Sequence, residues 1–214
     1  MCGIAGLLGS GSLDDANSMA KAIGHRGPDG SGDYQTDVEQ GKGVVAFSHA
    51  RLSIIDLEDS PQPINSDHGC VLMVNGEIYN HQQIKSNLQN YSFRTRGDSE
   101  TILALHRKFA WNKSSEDNPA EKHVEWVSKL DGMWGFSLWD PSAEELILCR
   151  DPFGIKPLVR TQLSDGTLLF GSEVKAFRGH PEFVAAPDIS ALAVRLAYEY
   201  PLDQTTLFSG VTSV

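Results

Sequence analysis

Cys2 follows the initiator methionine, and removal of Met1 would leave one residue carrying both a thiol nucleophile and a free α-amine. The amine titrates near ~7.7–8.0 and an ordinary thiol near ~8.5, so the pair can exchange a proton close to neutral pH. A nucleophile beside its own base is the general requirement for covalent acyl transfer, and a terminal amine is one way to meet it. Taken alone, Cys2 reads more readily as a small apolar residue starting a strand, because free cysteines are usually buried and inert; the rest of the chain overturns that reading. Arg51 is a second candidate. Its guanidinium interrupts an apolar stretch that continues with Leu52, Ile54 and Ile55, so it either pairs with an internal carboxylate or points into a pocket. A third is Asn75-Gly76-Glu77, where a side-chain amide, a backbone N–H and a carboxylate come together. Asp98, which opens an apolar pattern of helical spacing, reads first as an N-cap.

Composition narrows what these groups can serve. A chain of 214 residues, 40% apolar, is long enough for one large globular domain. The net charge of −10 speaks against a nucleic-acid partner, since phosphate binding needs clustered Lys and Arg. No apolar run reaches the length of a membrane span, and the start lacks the basic lead-in of a secretory signal, so a cytoplasmic protein is expected. Cys2, Cys70 and Cys149 are widely spaced with no CxxC pair, which argues against a disulfide framework or a metal site and fits a reducing compartment. Cys70 and Cys149 sit in apolar runs and read as core.

The elements that must position the candidates can be read in order. Residues 3–9 form a glycine-rich buried strand, and 13–23 a helix capped by Ser12 or Asp14. Residues 25–32, dense in Gly, Pro and Asp, form a loop. Residues 43–55 read as one or two strands broken at Ser48-His49, and 69–74 as another strand. That strand is expected to end at a strand-to-helix junction at Asn75-Gly76-Glu77, with Ile84 and Leu88 on the helix that follows. Further helices are expected at 98–109 and 121–130, the latter with Val124, Val127 and Leu130 inward, separated by a polar insertion at 111–120. Runs at 133–139, 146–150, 157–163 and 168–171 suggest an antiparallel meander, with Asp151-Pro152-Phe153-Gly154 as one of its turns. An amphipathic helix covers 188–199. Strands early and late with helices between them predict an α+β domain whose antiparallel sheets are covered by helices.

Several blocks then occur together: Met1-Cys2-Gly3-Ile4, His25-Arg26-Gly27-Pro28-Asp29, Arg51-Leu52-Ser53-Ile54-Ile55-Asp56, Gln62-Pro63, Val74-Asn75-Gly76-Glu77-Ile78-Tyr79-Asn80 and Gly97-Asp98-Ser99-Glu100. Leu130-Asp131-Gly132-Met133, Arg150-Asp151-Pro152-Phe153-Gly154-Ile155-Lys156-Pro157-Leu158 and Ser172-Glu173-Val174-Lys175-Ala176 follow in order. Together they resemble the N-terminal glutaminase domain of glutamine-hydrolysing asparagine synthetases, a class II glutamine amidotransferase. The likeness runs across essentially the whole chain. It implies a four-layer αββα sandwich of two antiparallel sheets, the N-terminal-nucleophile hydrolase type. It also implies a glutaminase domain over 1–187, with 188–214 as helix and linker towards a synthetase domain.

By the same resemblance, Cys2 is the nucleophile that attacks the glutamine side-chain amide, with its α-amine as base. The Asn75 amide and the Gly76 N–H form the oxyanion hole. Arg51 grips the substrate α-carboxylate, Glu77 and Asp98 accept its ammonium group, and Leu52, Ser53, Ile54 and Ile55 line the pocket. Residues 25–29, 151–158 and 172–175 are expected to shape the site. No metal or cofactor is expected in this chain; ATP and Mg would belong to the synthetase domain, whose Ser-Gly-Gly-x-Asp-Ser loop is missing from these residues, so a truncation or isolated half is expected. L-Glutamine and an ammonia-receiving synthetase domain or subunit are the implied partners, with a homodimer left open. The competing readings are a non-catalytic docking relic, a glutaminase subunit for another acceptor, and an N-terminal-cysteine acylase acting on a different amide.

Overall fold

The computed structural model describes residues 1–52, 62–111 and 121–214. Most of the expected insertion at 111–120, and the pocket residues Ser53, Ile54 and Ile55, lie outside these.

Glycine and aliphatic residues make β1 (Gly3–Gly9) a strand that can be crowded from both sides, and it sits inside the first sheet. β3 (Val44–Arg51) pairs with it antiparallel on one side and β9 (Leu168–Gly171) on the other. β2 (Gly30–Asp37) adds to β3, while β8 (Val159–Gln162) and then β10 (Val211–Ser213) add beyond β9. The second sheet runs in the order β4 (Ile64–Asn65), β5 (Val71–Ile78), β6 (Gly132–Asp140) and β7 (Glu145–Arg150).

The central strands β1, β3, β5 and β6 bury both faces, and the side-chain period of two divides their residues between two cores. Ile4, Val45, Phe47 and Phe170 of the first sheet meet Val71, Met73 and Trp139 of the second in the layer between the sheets. On the far side of the first sheet, Ala5, Leu7, Ala46 and Leu169 pack beneath α1 (Leu13–Ala22) and a 3-10 segment, Val174–Gly179. On the far side of the second, Leu72, Val74, Trp134, Phe136 and Leu138 pack beneath α2 (His81–Asn87), α3 (Glu100–Phe109) and α4 (Glu121–Val127). The result is the expected four-layer αββα sandwich. Among the described residues, no helix is long and apolar enough to cross a membrane.

Several expectations need correction. β3 runs unbroken through Ser48 and His49, since both are buried and stay in register with β1. Asn75-Gly76-Glu77 lies within β5, paired with Gly135, Trp134 and Met133 of β6; the strand-to-helix junction comes later, at Tyr79-Asn80. Ser99, not Asp98, occupies the N-cap position of α3. Val124 is exposed and Trp126 takes the inward place in α4. The strand β2 was not foreseen. The last four long strands are two hairpins on different sheets, because residues 151–158 cross from β7 to β8 between the layers. Residues 188–214 hold the expected helix, α5 (Ile189–Tyr198), none of it buried, and then rejoin the first sheet through β10.

The outer core of the second sheet carries a buried polar chain. His106 Nδ1 lies 4.0 Å from Cys70 Sγ, and its Nε2 lies 3.5 Å from Asp140 Oδ2. Burial pulls His106 down to about 4 despite Asp140, and burial also pulls His49 down to about 4. Both imidazoles are therefore neutral in the folded protein at pH 7. Between about pH 6.5 and 4 the unfolded chain binds protons that the folded one refuses, so stability falls as pH drops through this window. Glu145, held down to about 2, adds its own loss only below its ordinary range. Denaturant midpoints measured from pH 7 to 4.5 should therefore decline, each histidine adding up to about 1.4 kcal/mol per pH unit. A flat profile would contradict neutral burial of these two rings.

Candidate active site

The space between the sheets is filled by side chains along most of its length and opens at one end. Here a small cleft of ≈ 90 Å³ is lined by Cys2, Arg51, Asn75, Gly76, Glu77 and Asp98, among others. Leu52 also lines it. The described catalytic and substrate-binding candidates are thus brought to one place by elements far apart in the chain, while residues 25–29 and 172–175, expected to shape the site, lie outside its lining.

The strands account for this convergence. Ile4 pairs with His49 and Gly3 with Ala50, so Cys2 emerges beside the end of β3. Its Sγ lies 3.4 Å from the Leu52 N–H, which donates to it, and 3.5 Å from the Leu52 carbonyl. Arg51 closes β3 on the inter-sheet face, in the same alternation as Phe47 and His49. On the opposing sheet, Asn75 and Glu77 continue the inward series of Val71 and Met73 along β5. Gly76 between them has no room for a side chain, since a Cβ there would stand 2.6 Å from Trp134 Cα.

Asn75 is 1% exposed, and its Nδ2 finds no hydrogen-bond partner among the described residues. A buried amide donor left unmet costs free energy comparable to a lost hydrogen bond, so its position marks a place where an acceptor is wanted. Asp98 does not cap α3 with its side chain. Its Oδ2 accepts the Ile78 N–H at 2.6 Å, and its carbonyl accepts from Thr101 Oγ1 at 2.6 Å. This ties the start of α3 to the end of β5 and leaves the carboxylate on the cleft wall.

Two lining residues, Gln62 and His49, have no assigned role in the sequence reading, and a third, Lys156, is placed there only within the site-shaping segment 151–158. Gln62 pairs its amide with the Val74 backbone on both sides, accepting from N–H at 2.6 Å and donating to the carbonyl at 3.1 Å. His49, read as part of a polar interruption, lies buried in the cleft wall. Lys156 is buried there too, its Cβ over Gly135, the register partner of Asn75. The Asp151 turn delivers it: the carboxylate accepts the N–H groups of Phe153, Ile155 and Lys156 at 3.0–3.1 Å. A side-chain amide paired with a neighbouring strand, and a lysine folded inward by a turn, leave no periodic trace in sequence.

With this geometry in hand, comparison with known proteins is informative. A family model described as a glutamine amidotransferase domain matches residues 1–214. The chain belongs to that family. Among its relatives, an asparagine synthetase [glutamine-hydrolyzing] of Bacillus subtilis is 37% identical over 189 residues, 85% of this chain and 23% of the relative. One from Oryza sativa is 35% identical over 196 residues, 87% of this chain and 30% of the relative. The chain thus spans about a quarter to a third of the length of these relatives. Of solved structures, the glutamine phosphoribosylpyrophosphate amidotransferase of B. subtilis superposes with a TM-score of 0.65 at 23% identity, covering 83% of this chain and 43% of that one. That likeness shows that the two chains share a fold.

The three thiols of this amidotransferase domain differ in what they can do. Burial pushes Cys70 up to about 12, with Asp140 adding to the effect, and burial pushes Cys149 up to about 11. Cys2 instead stands in the open cleft. Iodoacetamide at pH 7.5 should therefore alkylate Cys2 in the folded protein and leave the other two intact, as read by peptide mass mapping, because the thiolate is the reactive form. Equal labelling of all three would contradict this environment.

Proposed function

We propose that this domain hydrolyses the side-chain amide of glutamine and releases ammonia to an ATP-dependent synthetase domain that converts aspartate to asparagine. The observation that carries the reading is the unmet, buried Asn75 Nδ2 in the same cleft as the Cys2 sulfur.

Met1, half-exposed, is removed so that the Cys2 amine is free to take the thiol proton. Sulfur then adds to the amide carbon of glutamine. The carbonyl oxygen, turning to oxyanion, receives hydrogen bonds from Asn75 Nδ2 and the Gly76 N–H. Such donors are most effective when fixed in advance, as a strand residue and its neighbour's backbone are. The amine returns the proton to the leaving nitrogen, the C–N bond breaks, and ammonia departs. Water then cleaves the γ-glutamyl thioester, giving glutamate and the free thiol.

Recognition uses both ends of the free amino acid. The planar Arg51 guanidinium suits a bidentate grip on the α-carboxylate. Glu77 and Asp98 receive the ammonium group, and Leu52 lines the pocket beside them. A peptide-bound amide lacks that zwitterion, which favours free glutamine over a general amide substrate. The reaction runs on side chains and water, with ATP and Mg assigned to the synthetase domain. The relatives' names favour a synthetase domain as the recipient of the ammonia: each is an asparagine synthetase [glutamine-hydrolyzing].

Cys2→Ala should abolish ammonia release from glutamine while circular dichroism and the melting temperature stay near wild type. Asn75→Ala should lower turnover about 10²–10³-fold. Undiminished ammonia release by Cys2→Ala would remove the mechanism. Intact-mass measurement adds a direct check, since a retained Met1 blocks the amine and would favour a non-catalytic docking role.

A further inference from the structure

We propose that Arg26, anchored by Glu173, is a positioning residue that fixes the orientation of Cys2. The inference rests on the reading of Cys2 as the nucleophile, and it concerns groups outside the cleft lining.

Strand pairing in the first sheet begins at Gly3, so the carbonyl of Cys2 stands outside the ladder. Arg26 supplies what the ladder does not: its Nε donates to that carbonyl at 3.0 Å. The same guanidinium donates through Nη1 to Glu173 Oε1 at 2.7 Å. Glu173 is in turn continuous with a second hold on β1. The neighbouring Ser172 accepts the Ile4 N–H on its Oγ at 3.0 Å and donates its own N–H to the Ile4 carbonyl at 2.8 Å. Two adjacent residues thus clamp the start of β1 on either side of Gly3. Arg26 packs directly over Gly3, where a Cβ would stand 3.0 Å from Ile23 Cδ1 and touch Arg26 Cβ and Cδ at 3.4 Å.

The energetics favour an orienting role over a stabilising one. The Arg26 side chain is only 7% exposed, and its Nη2 is buried without a partner among the described residues. A cation drawn out of water with one donor unmet is a weak source of stability; an apolar side chain of similar volume would serve packing better. What a guanidinium adds is a rigid planar fork, in which the direction of Nε is fixed once Nη1 is tied down. Burial works to raise the Glu173 carboxyl, and Arg26 and His25 outweigh it, so the anchor remains anionic. His25 Nε2 reaches the same carboxylate oxygen at 3.1 Å, and Lys175 Nζ approaches His25 Nδ1 at 3.3 Å on the outer side.

Both the thiol and the α-amine of Cys2 hang from one Cα. Holding the Cys2 carbonyl stops rotation about the Cα–C bond, so the directions of the Cα–N and Cα–Cβ bonds are set, and the Leu52 N–H at 3.4 Å from Sγ restrains the remaining turn of the thiol. A misplacement of ~1 Å at a reacting centre can cost ~10²-fold in rate. Support of this kind, one bond removed from the reacting group, is what holds such a centre in its productive geometry.

The test uses the full chain with Arg26→Lys, which keeps a cation beside Glu173 but cannot span both acceptors in fork geometry, and Glu173→Gln, which keeps the anchor's shape. Glutamine hydrolysis kinetics, melting temperature and the rate of Cys2 alkylation by iodoacetamide are measured on each. Arg26→Lys is expected to lower kcat about 10–100-fold. KM should stay within about twofold, because the glutamine head group is held by other residues, and the alkylation rate should change with kcat. Glu173→Gln should give a smaller loss with the same split. Wild-type kcat in Arg26→Lys, or a loss that merely follows a drop in folded protein, overturns the proposal. If wild-type protein releases no ammonia from glutamine, the glutaminase reading fails instead. The alkylation rates still decide the clamp in that case, and equal rates in wild type and Arg26→Lys overturn it.

Discussion

The antiparallel register between β1 and β3 is the constraint on which the cleft depends. With Ile4 opposite His49 and Gly3 opposite Ala50, Cys2 leaves the ladder beside Arg51 and Leu52. Because side chains alternate with a period of two, a slip of one residue would turn every inward group of β1 outward. Ile4 would leave the layer between the sheets, and the sulfur would face α1 instead of the cleft. The apolar pattern that buries Ile4, Val45 and Phe47 on one face and Ala5, Leu7 and Ala46 on the other therefore also aims the thiol. Core packing and site geometry are the same choice made once.

Among the described residues, no strand pairing joins the two halves of the site. Cys2 and Arg51 come from the first sheet, Asn75, Gly76 and Glu77 from the second, and the sheets share no strand. Their separation is set by the side chains packed between them, notably Phe47, Met73, Trp139 and Phe170. The Phe47 and Phe170 rings meet edge to face at 5.6 Å, an arrangement with a preferred distance and angle. Interiors packed at crystal-like density resist such changes, so an interlayer core holds a nucleophile and an amide donor in place without any covalent link. A substitution in this layer, remote from substrate, acts on the site by changing the gap.

Much of this was legible in the sequence, for identifiable reasons. Apolar runs marked β1 and the hydrophobic halves of β3, β5 and β6, and Ser12, one of the two caps expected for α1, holds that position and forms a capping box with Asp15. The site residues were legible because each is an uncommon type in its setting: a cysteine at the chain start, an arginine in an apolar strand, an Asn-Gly-Glu run. What failed was inference from local rules where tertiary contacts decide. Asn-Gly normally signals a turn, yet here β6 pairs across it and holds it extended. Asp98 carries the side chain of a good N-cap, but the Ile78 N–H captures its carboxylate first. β2 was missed because its residues, with Tyr34 the one large side chain of apolar character, form no apolar run, and none of them is fully buried beside β3. Val124 and Trp126 both fit a helical pattern, and only the position of His123 and Phe136 around the indole selects the tryptophan.

The position of β1 also bears on how the protein is assembled. Its second neighbour is β9, with Ala5 opposite Gly171, so nearly the whole chain must be in hand before the central strand is enclosed. Folds dominated by such distant pairings form slowly, since the closure entropy is lost before the contacts reward it. Until β9 docks, β1 is an unpaired edge able to recruit foreign strands. Ser172 and Glu173, which follow β9 directly, arrive at the same moment. Partly folded chains therefore hold an ordinary cysteine at a loose end, and turnover becomes a readout of completed assembly.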